Sequence, residues 1–203
     1  MKIYRPTTVI VGVVFVLLGG LLRLADPGEV MDDQTRKLVH GSIGVPVSDE
    51  DFTLTVTRVK LARTVVKNES DDLKDALTTE GVFVAVEFDI SGRHQPKTVG
   101  ALKLETDEGS TYEPFSSPSV TSAASPAAGF TESQTALFEA NPEDLAGLTL
   151  RITPTQLISY YKINYAIDLG IPSEDTADVL VANASTRTGQ EYVVQRSQLR
   201  LTP

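Results

Sequence analysis

The sequence predicts an all-β protein, an antiparallel β-sandwich preceded by one N-terminal transmembrane helix. About nine short segments alternate apolar and polar residues and are separated by turn sequences, which is typical of a sandwich. No repeat of about 20 to 50 residues is visible, so a solenoid or a propeller is not favoured. An uncharged apolar run, TVIVGVVFVLLGGLL, occupies residues 8–22 and precedes all of these segments.

The apolar run is interpreted as an uncleaved signal anchor that covers residues 8–25. Extended from Pro6 to Ala25, it forms about 30 Å of helix at about 1.5 Å per residue, which is enough to cross a bilayer. A cleaved signal peptide is the alternative, and a core helix of a soluble protein is a third interpretation. The nearest cleavage sequence places Arg23 where a small residue is required, and the chain has no cysteine for a lipoprotein signal. The side chains expected to anchor this helix in lipid are Val9, Val13, Phe15, Leu18 and Leu22.

Flanking charges predict the orientation of the anchor. Lys2 and Arg5 precede the run, and the chain becomes acidic from Asp26 onward. The positive-inside rule therefore places residues 1–7 in the cytoplasm and the chain beyond the anchor outside. We expect a single-pass protein whose remaining residues form one domain, 43–203, behind a juxtamembrane linker, 26–42.

Three residues are candidate contacts for a partner protein. Gly12 and Gly19 lie close to one helical face, where the absence of side chains allows tight helix packing. Glycine is common in membrane helices, so an ordinary lipid-facing position is the alternative for both. Tyr160 is predicted to project outward from a strand, and tyrosine is enriched at interfaces. Packing at the core or at a sheet edge is its alternative.

Composition limits the function classes. Residues 1–25 hold three of the 18 basic residues and none of the 27 acidic ones, so residues 26–203 carry a net charge of −12. This charge disfavours nucleic acid and anionic headgroups as partners, because both require a basic surface. The absence of cysteine removes disulfides, thiol nucleophiles and thiolate metal sites. Aromatic residues are only 6% of the chain, which does not indicate a stacked carbohydrate platform.

The first half of the domain begins with a short strand, Ser42 to Val47, that contains Pro46 and suits a sheet edge. Residues 51–66 alternate, and the apolar parity changes near Thr57 and Arg58, which predicts a β-bulge there. Residues 81–91 form the clearest strand. Alternate valine, phenylalanine and isoleucine side chains are predicted to face a core, and the other face becomes more polar along the strand, as in a half-exposed antiparallel strand.

The second half continues with a strand over 99–106 and a turn at Asp107-Glu108-Gly109. Residues 113–129, rich in serine, alanine and proline, are predicted to form a long surface loop. Further strands are expected at 130–139, 148–152 and 161–169. A helical turn at 142–145 is predicted between the first two. The chain is predicted to end with a hairpin-like pair, 179–181 and 192–194, and an edge segment carrying Leu199 and Leu201.

Candidate metal ligands are few. Asp71, Asp72 and Asp75 form a carboxylate cluster that would suit calcium, although it lacks the glycine and the terminal glutamate of an EF-hand loop. A solvated acidic loop is the alternative interpretation. His40 and His94 have no neighbour at ligand spacing. We expect no cofactor, and no nucleophile elbow or phosphate-binding loop motif is present.

The segments GVFVAVEFDIS (81–91), ALKLETDEGSTYEP (101–114) and TALFEANPEDLAGLTLRI (135–152) follow one another in a characteristic order. In this order they resemble a family of actinobacterial and firmicute secreted proteins of unknown function, related to the mycobacterial secreted immunoprotective antigen. The resemblance implies an immunoglobulin-like sandwich outside the cytoplasmic membrane, tied to it by a lipoprotein signal or an anchor. It implies no catalytic residues.

The function expected from these features is that of a non-enzymatic interaction domain on the outer face of a bacterial cytoplasmic membrane. Its partners would be the bilayer and other membrane-protein subunits of a transport, secretion or respiratory complex, and not nucleic acid. One alternative is a small-ligand or glycan-binding protein with a cavity lined by Phe83, Phe88, Phe115 or Phe138. Another is an envelope hydrolase with two inward-facing carboxylates about 5 to 9 Å apart.

Overall fold

The computed structural model describes residues 36–66, 76–96, 98–116, 120, 122–153, 162–185, 191–195 and 197–202. The chain divides into two compact units, Met1–Arg36 and Lys37–Pro203. The predicted cytoplasmic tail, 1–7, and anchor, 8–25, lie outside the described residues. Within the described ranges, no helix has both the length and the hydropathy of a membrane span.

The described residues are mostly β-strand. The strands are β1 (Arg36–Ser42), β2 (Val47–Ser48), β3 (Phe52–Val66), β4 (Leu77–Gly92), β5 (Thr98–Glu105), β6 (Thr111–Tyr112), β7 (Ser122–Ala124), β8 (Phe130–Ala140), β9 (Thr149–Thr153), β10 (Lys162–Asp168), β11 (Tyr192–Val193) and β12 (Gln198–Leu201). A 3-10 turn occupies Pro142–Asp144, and one helix, α1, occupies Glu174–Ser185.

These strands form two six-stranded sheets. The first sheet has the order β1-β10-β9-β5-β6, with β7 also paired to β5. The second has the order β11-β3-β4-β8-β12, with β2 paired to β3. The long β3–β4 and β4–β8 pairs are antiparallel, as the sequence predicts. The β11–β3 pair is parallel, which the sequence did not indicate.

The two sheets share one core, so the fold is a β-sandwich. Alternate residues of the second sheet, such as Leu54, Val86 and Phe138, pack with Leu102 and Ile167 of the first. The ring of Phe52 meets that of Tyr165 edge-on, with centroids 5.7 Å apart. Burial of this apolar surface, at about 25 cal/mol per Å², is the main stabilising contribution.

A smaller apolar cluster covers part of the outer face of the second sheet. The rings of Phe83 and Phe115 lie edge-on with centroids 5.6 Å apart. The other members are Ala62, Val65, Ala85, Leu137, Tyr192 and Val194. The cluster explains why β4 is buried on both faces at residues 82–88, where the sequence predicted a half-exposed strand.

The bulge predicted near Thr57 and Arg58 is confirmed. The register of β3 against β4 shifts between Val56 and Arg58, and Arg58 pairs with Glu87. The extra residue changes which side chains of β3 face the core, so Val56 and Val59 both pack inward.

Two predicted boundaries near the start of the domain differ from the structure. The linker was predicted to reach residue 42, but Arg36–Ser42 is strand β1, which pairs with β10 at the edge of the first sheet. The mixed charge of this segment gave no sign of a strand, although Val39 packs on the core. The strand predicted from Ser42 to Val47 is interrupted by a turn, in which the Val45 amide donates to Ser42 oxygen at 3.0 Å. Gly44 supplies the positive φ of 78° that the turn requires.

The loop predicted over 113–129 is only partly a surface loop. Ser122–Ala124 forms β7 against β5, and Ala123 is fully buried. The sequence did not predict this strand, because its serine and alanine side chains show no alternation of apolar and polar residues. Its backbone lies close to the inner face of β8, where the Gln134 side-chain amide donates to Ala124 oxygen at 3.4 Å.

The strand predicted at 179–181 is wrong, because these residues lie in α1. Ser173 begins the helix, since its Oγ accepts a hydrogen bond from the Thr176 amide at 3.3 Å. Ala177, Leu180 and Val181 then pack toward the core at helical spacing. The prediction relied on three consecutive apolar residues, 179–181, which are also typical of a short strand. It missed two signals of a helix, the serine cap and the spacing of apolar residues 177, 180 and 181.

Candidate functional site

The sequence-predicted site residues all fall outside the described ranges, so these predictions stay as they were made. They are the anchor positions Val9, Val13, Phe15, Leu18 and Leu22, the contact candidates Gly12, Gly19 and Tyr160, and the calcium candidates Asp71, Asp72 and Asp75. Among the described residues, no three His, Asp or Glu side chains are placed to share a metal ion.

A row of polar side chains lies on the part of the second sheet's outer face that the apolar cluster leaves uncovered. Because Val86, Phe88 and Ile90 fill the core, strand alternation turns Glu87, Asp89 and Ser91 outward. Their partners on β8 are Thr135, Ser133 and Thr131, respectively. We call these six residues the polar ladder.

Glu87 is the most buried charged group of the ladder, with 8% exposure. The Arg58 guanidinium donates to both of its oxygens, through Nε to Oε2 at 2.8 Å and through Nη2 to Oε1 at 2.7 Å. The Tyr192 hydroxyl donates to Oε1 at 2.8 Å. Three donors therefore compensate the desolvation of this carboxylate.

The hydroxyl of Tyr192 stays protonated in this setting. Burial raises the pKa of Tyr192 well above its usual value, and the hydrogen bond to Glu87 raises it further. A nearby hydrogen bond with Thr135 and the charge of Arg58 oppose the shift. Tyr192 thus acts as a donor that fixes β11 to the ladder.

Asp89 is the second ladder carboxylate, and it connects three strands. Ser133 Oγ on β8 donates to Asp89 Oδ1 at 2.6 Å, and Arg200 on β12 donates to both Asp89 and Ser133. Further along, the hydroxyls of Ser91, Thr131 and Thr202 are linked at 2.8 and 2.9 Å. The ladder therefore holds β12 to the sheet from its outer face.

A depression of about 60 Å³ opens between these groups. It is lined by Thr57, Glu87, Phe88, Asp89, Ser133, Gln134, Thr135 and Gln195. This depression has room for a few water molecules, since a site for one water needs about 10 to 15 Å³. Both of its carboxylates project from the outer face and are paired with arginines, unlike the inward-facing pair that the hydrolase alternative describes.

A larger concavity of about 280 Å³ lies between the 3-10 turn and α1. Its lining includes Glu143, Glu174 and Asp178, and it is open to solvent. Asn141, which precedes the 3-10 turn, makes no side-chain capping bond. Instead its backbone oxygen accepts from the Asp144 amide at 3.0 Å.

The four phenylalanines of the ligand-binding alternative do not line one cavity. Phe88 and Phe138 belong to the core between the sheets, with 1% and 0% exposure. Phe83 and Phe115 contact each other on the opposite face of the second sheet. The sheet itself separates the two pairs.

The outermost strand of the second sheet, β12, carries the two most exposed large apolar side chains among the described residues. Leu199 is 65% exposed and Leu201 is 73% exposed. They lie directly opposite Glu132 and Phe130 of β8. The prediction that they form an edge strand is confirmed, but their exposure followed from no sequence signal. We call β12, with Phe130 and Glu132, the β12 edge.

Comparison with known proteins finds no matching family model and no significantly matching curated protein. Solved structures similar to the chain include the yjhA protein from Bacillus subtilis, with 12% identity and a TM-score of 0.48 over 64% of this chain and 99% of that one. An uncharacterized beta-sandwich protein from Clostridium difficile 630 has 13% identity and a TM-score of 0.39, with 64% and 95% covered. The secreted protein MPT63 from Mycobacterium tuberculosis has 11% identity and a TM-score of 0.41, with 63% and 96% covered. Membership of the family that the sequence resembles stays a prediction.

Proposed function

We propose that the protein is a non-enzymatic interaction domain of the bacterial cell envelope, an immunoglobulin-like sandwich anchored by residues 8–25 and acting as an accessory subunit of a membrane complex. The observation that carries this proposal is the contrast between two parts of the second sheet. In the polar ladder, charged groups bind one another, whereas at the β12 edge apolar side chains are open to solvent. Such an arrangement favours recognition of a partner over proton transfer.

The membrane part of the proposal is supported by the sequence alone. The uncharged run is long enough to span a bilayer when residues 6–25 are included, and the charges around it favour an outside domain. Gly12 and Gly19 would let this helix pack closely against a helix of another subunit. The net charge of −12 beyond the anchor would favour a basic partner surface.

The test is purification of the full chain from native membranes in mild detergent, after chemical crosslinking, with mass spectrometry of the co-purifying chains. We expect a reproducible stoichiometric membrane-protein partner. A matched control replaces residues 8–25 with an unrelated single-pass helix, which separates contacts of the anchor from contacts of the domain. A solitary chain at native expression, with no crosslinked partner, would contradict the proposal.

A further inference from the structure

We propose that the β12 edge binds an extended segment of a partner protein by β-strand addition, and that this segment carries alternate apolar residues flanked by lysine or arginine. The inference rests on the proposed interaction function and names the chemistry of the partner at one site.

The backbone at the edge has donors and acceptors in position. The Thr202 amide donates to Gly129 oxygen at 2.9 Å, so the backbone N–H of Thr202 points toward the β8 side of the strand. In an antiparallel ladder, bonded and non-bonded pairs alternate. The N–H and C=O groups of Leu199 and Leu201 therefore point away from β8, toward the open side of the sheet. No strand among the described residues pairs with that side.

The side chains at the same two positions form an apolar surface. Directly opposed residues of paired strands project to the same face, so Leu199 and Leu201 share the core-facing side with Glu132 and Phe130. They are nevertheless more than half exposed, so the first sheet does not cover them. An added strand would extend the second sheet and place alternate side chains beside the two leucines.

The negative charge of Glu132, on the same face as the two leucines, favours a basic partner segment. Glu132 lies opposite Leu199, and its carboxylate accepts a hydrogen bond from the Ser197 hydroxyl. A lysine or arginine located two residues from an apolar position on the added strand would share this face and reach the carboxylate. The net charge of −9 on each chain favours such a basic segment over a second copy of this chain.

The edge is also held in shape before binding. Arg200 and Thr202 bind Asp89, Ser133 and Thr131 on the opposite face. Because β12 is already ordered, an incoming segment would lose conformational freedom without having to order β12 as well. Pre-organisation of this kind suits strand addition.

The experiment measures binding of a fluorescent peptide, Lys-Thr-Val-Thr-Val-Thr-Lys, to the full chain in detergent by fluorescence anisotropy. Both valines and both lysines project to one face, in either strand direction. We expect Leu199→Thr combined with Leu201→Thr to weaken binding about tenfold or more, which corresponds to about 1.4 kcal/mol. Threonine preserves strand propensity, so folding is maintained. Val179→Thr on α1, which also changes an exposed apolar residue, is the matched control and should leave binding unchanged.

Two further comparisons test the backbone and charge arguments. N-methylation of the two valine amides removes the donors that face β12 in antiparallel addition, whereas methylation of the central threonine amide leaves them. Only the first change should abolish binding, and the reverse pattern would indicate parallel addition. A peptide with glutamate at both ends should bind more weakly than the lysine peptide. Glu132→Gln should remove most of this preference and of the salt dependence.

Each outcome decides between the inference and the function on which it depends. Peptide binding that is insensitive to both leucine substitutions and to every N-methylation overturns the edge inference. Dimerisation of the chain that disappears in the leucine variant would make a second copy the occupant and would also overturn it. If a partner still co-purifies with the leucine variant while no peptide binds, the interaction function stands and the edge inference fails. If peptides bind as expected but no native partner is found, the edge inference stands and the proposed membrane-complex function fails.

Discussion

Arg58 lies opposite Glu87 because a β-bulge places it there. Without the extra residue between Val56 and Arg58, strict alternation along β3 would turn the arginine toward the core. With it, the guanidinium reaches both carboxylate oxygens of a glutamate that is 8% exposed. One irregularity of the backbone thus allows a charged group to be buried in the middle of β4.

The first prediction concerns this ion pair. Arg58→Met should lower the free energy of unfolding by about 2 kcal/mol, because it leaves the Glu87 carboxylate buried without its counter-charge. The arginine side chain is 44% exposed, so solvent screens part of the loss. The measurement is urea unfolding of the full chain, followed by far-UV circular dichroism. The double variant Arg58→Met with Glu87→Leu should recover most of the loss, and a double variant as unstable as the single one would contradict this account.

Tyr192→Phe should destabilise the protein by about 1 to 2 kcal/mol, because the Glu87 carboxylate loses a charge-assisted hydrogen bond while the ring still fills its place. The change should also loosen β11, which pairs with β3 through only two residues. Hydrogen exchange at the amides of residues 192–194 would report this loosening. Tyr112→Phe, which removes a hydroxyl bound to Asp144 instead, is a control that should leave exchange at β11 unchanged.

The pKa of Tyr192 also predicts how stability depends on pH. Burial first, and Glu87 second, raise this pKa above the ordinary value of 10.0. The unfolded chain therefore releases the proton near pH 10 while the folded chain retains it, so the tyrosine's contribution is complete below pH 10 and declines above it. The unfolding free energy of the wild type should fall from about pH 10 upward. The fall should be shallower in Tyr192→Phe, and equal slopes in the two proteins would contradict the assignment.

The parts of the fold that the sequence predicts are those that depend on local alternation. Residues 81–91 alternate clearly and lie in β4, and a change of parity located the bulge at residues 57–58. Elements whose side chains are small or charged gave no such signal. The strands β7 and β1, which contain Ala123 and Val39, are identified by their pairing with β5 and β10.

The site was harder to predict than the fold, because it joins residues that are far apart in the chain. The hydroxyl of Tyr192 binds a carboxylate 105 residues earlier, and Arg200 binds one 111 residues earlier. No spacing within a single segment encodes these contacts. The exposure of Leu199 likewise depends on how far the first sheet extends over the second. The residues of β12 alone do not indicate that extent.

Gly92→Ala should destabilise the protein by about 2 to 3 kcal/mol, because an added Cβ would lie 2.0 Å from Pro126 oxygen and 2.6 Å from Ala127 oxygen. Both contacts are with backbone, which cannot rotate away. The added Cβ should displace the backbone at Pro126 and Ala127, close to Gly129. Because the Gly129 oxygen accepts a hydrogen bond from the Thr202 amide, β12 should loosen as well. Ser91→Ala, which removes one hydroxyl contact at the adjacent residue, is the control. Urea unfolding measures the first effect, and hydrogen exchange at residues 198–202 measures the second.

The absence of cysteine permits a direct test of the predicted orientation. Val179 is 61% exposed on α1, so Val179→Cys introduces one accessible thiol in the domain without altering the core. A membrane-impermeant maleimide should label this thiol in intact cells, because the domain is predicted to lie outside the cytoplasmic membrane. Ile3→Cys, in the predicted cytoplasmic tail, should be labelled only after lysis. If both thiols react only after lysis, or if labelled chain without residues 1–25 is recovered from the medium, the anchored orientation is wrong.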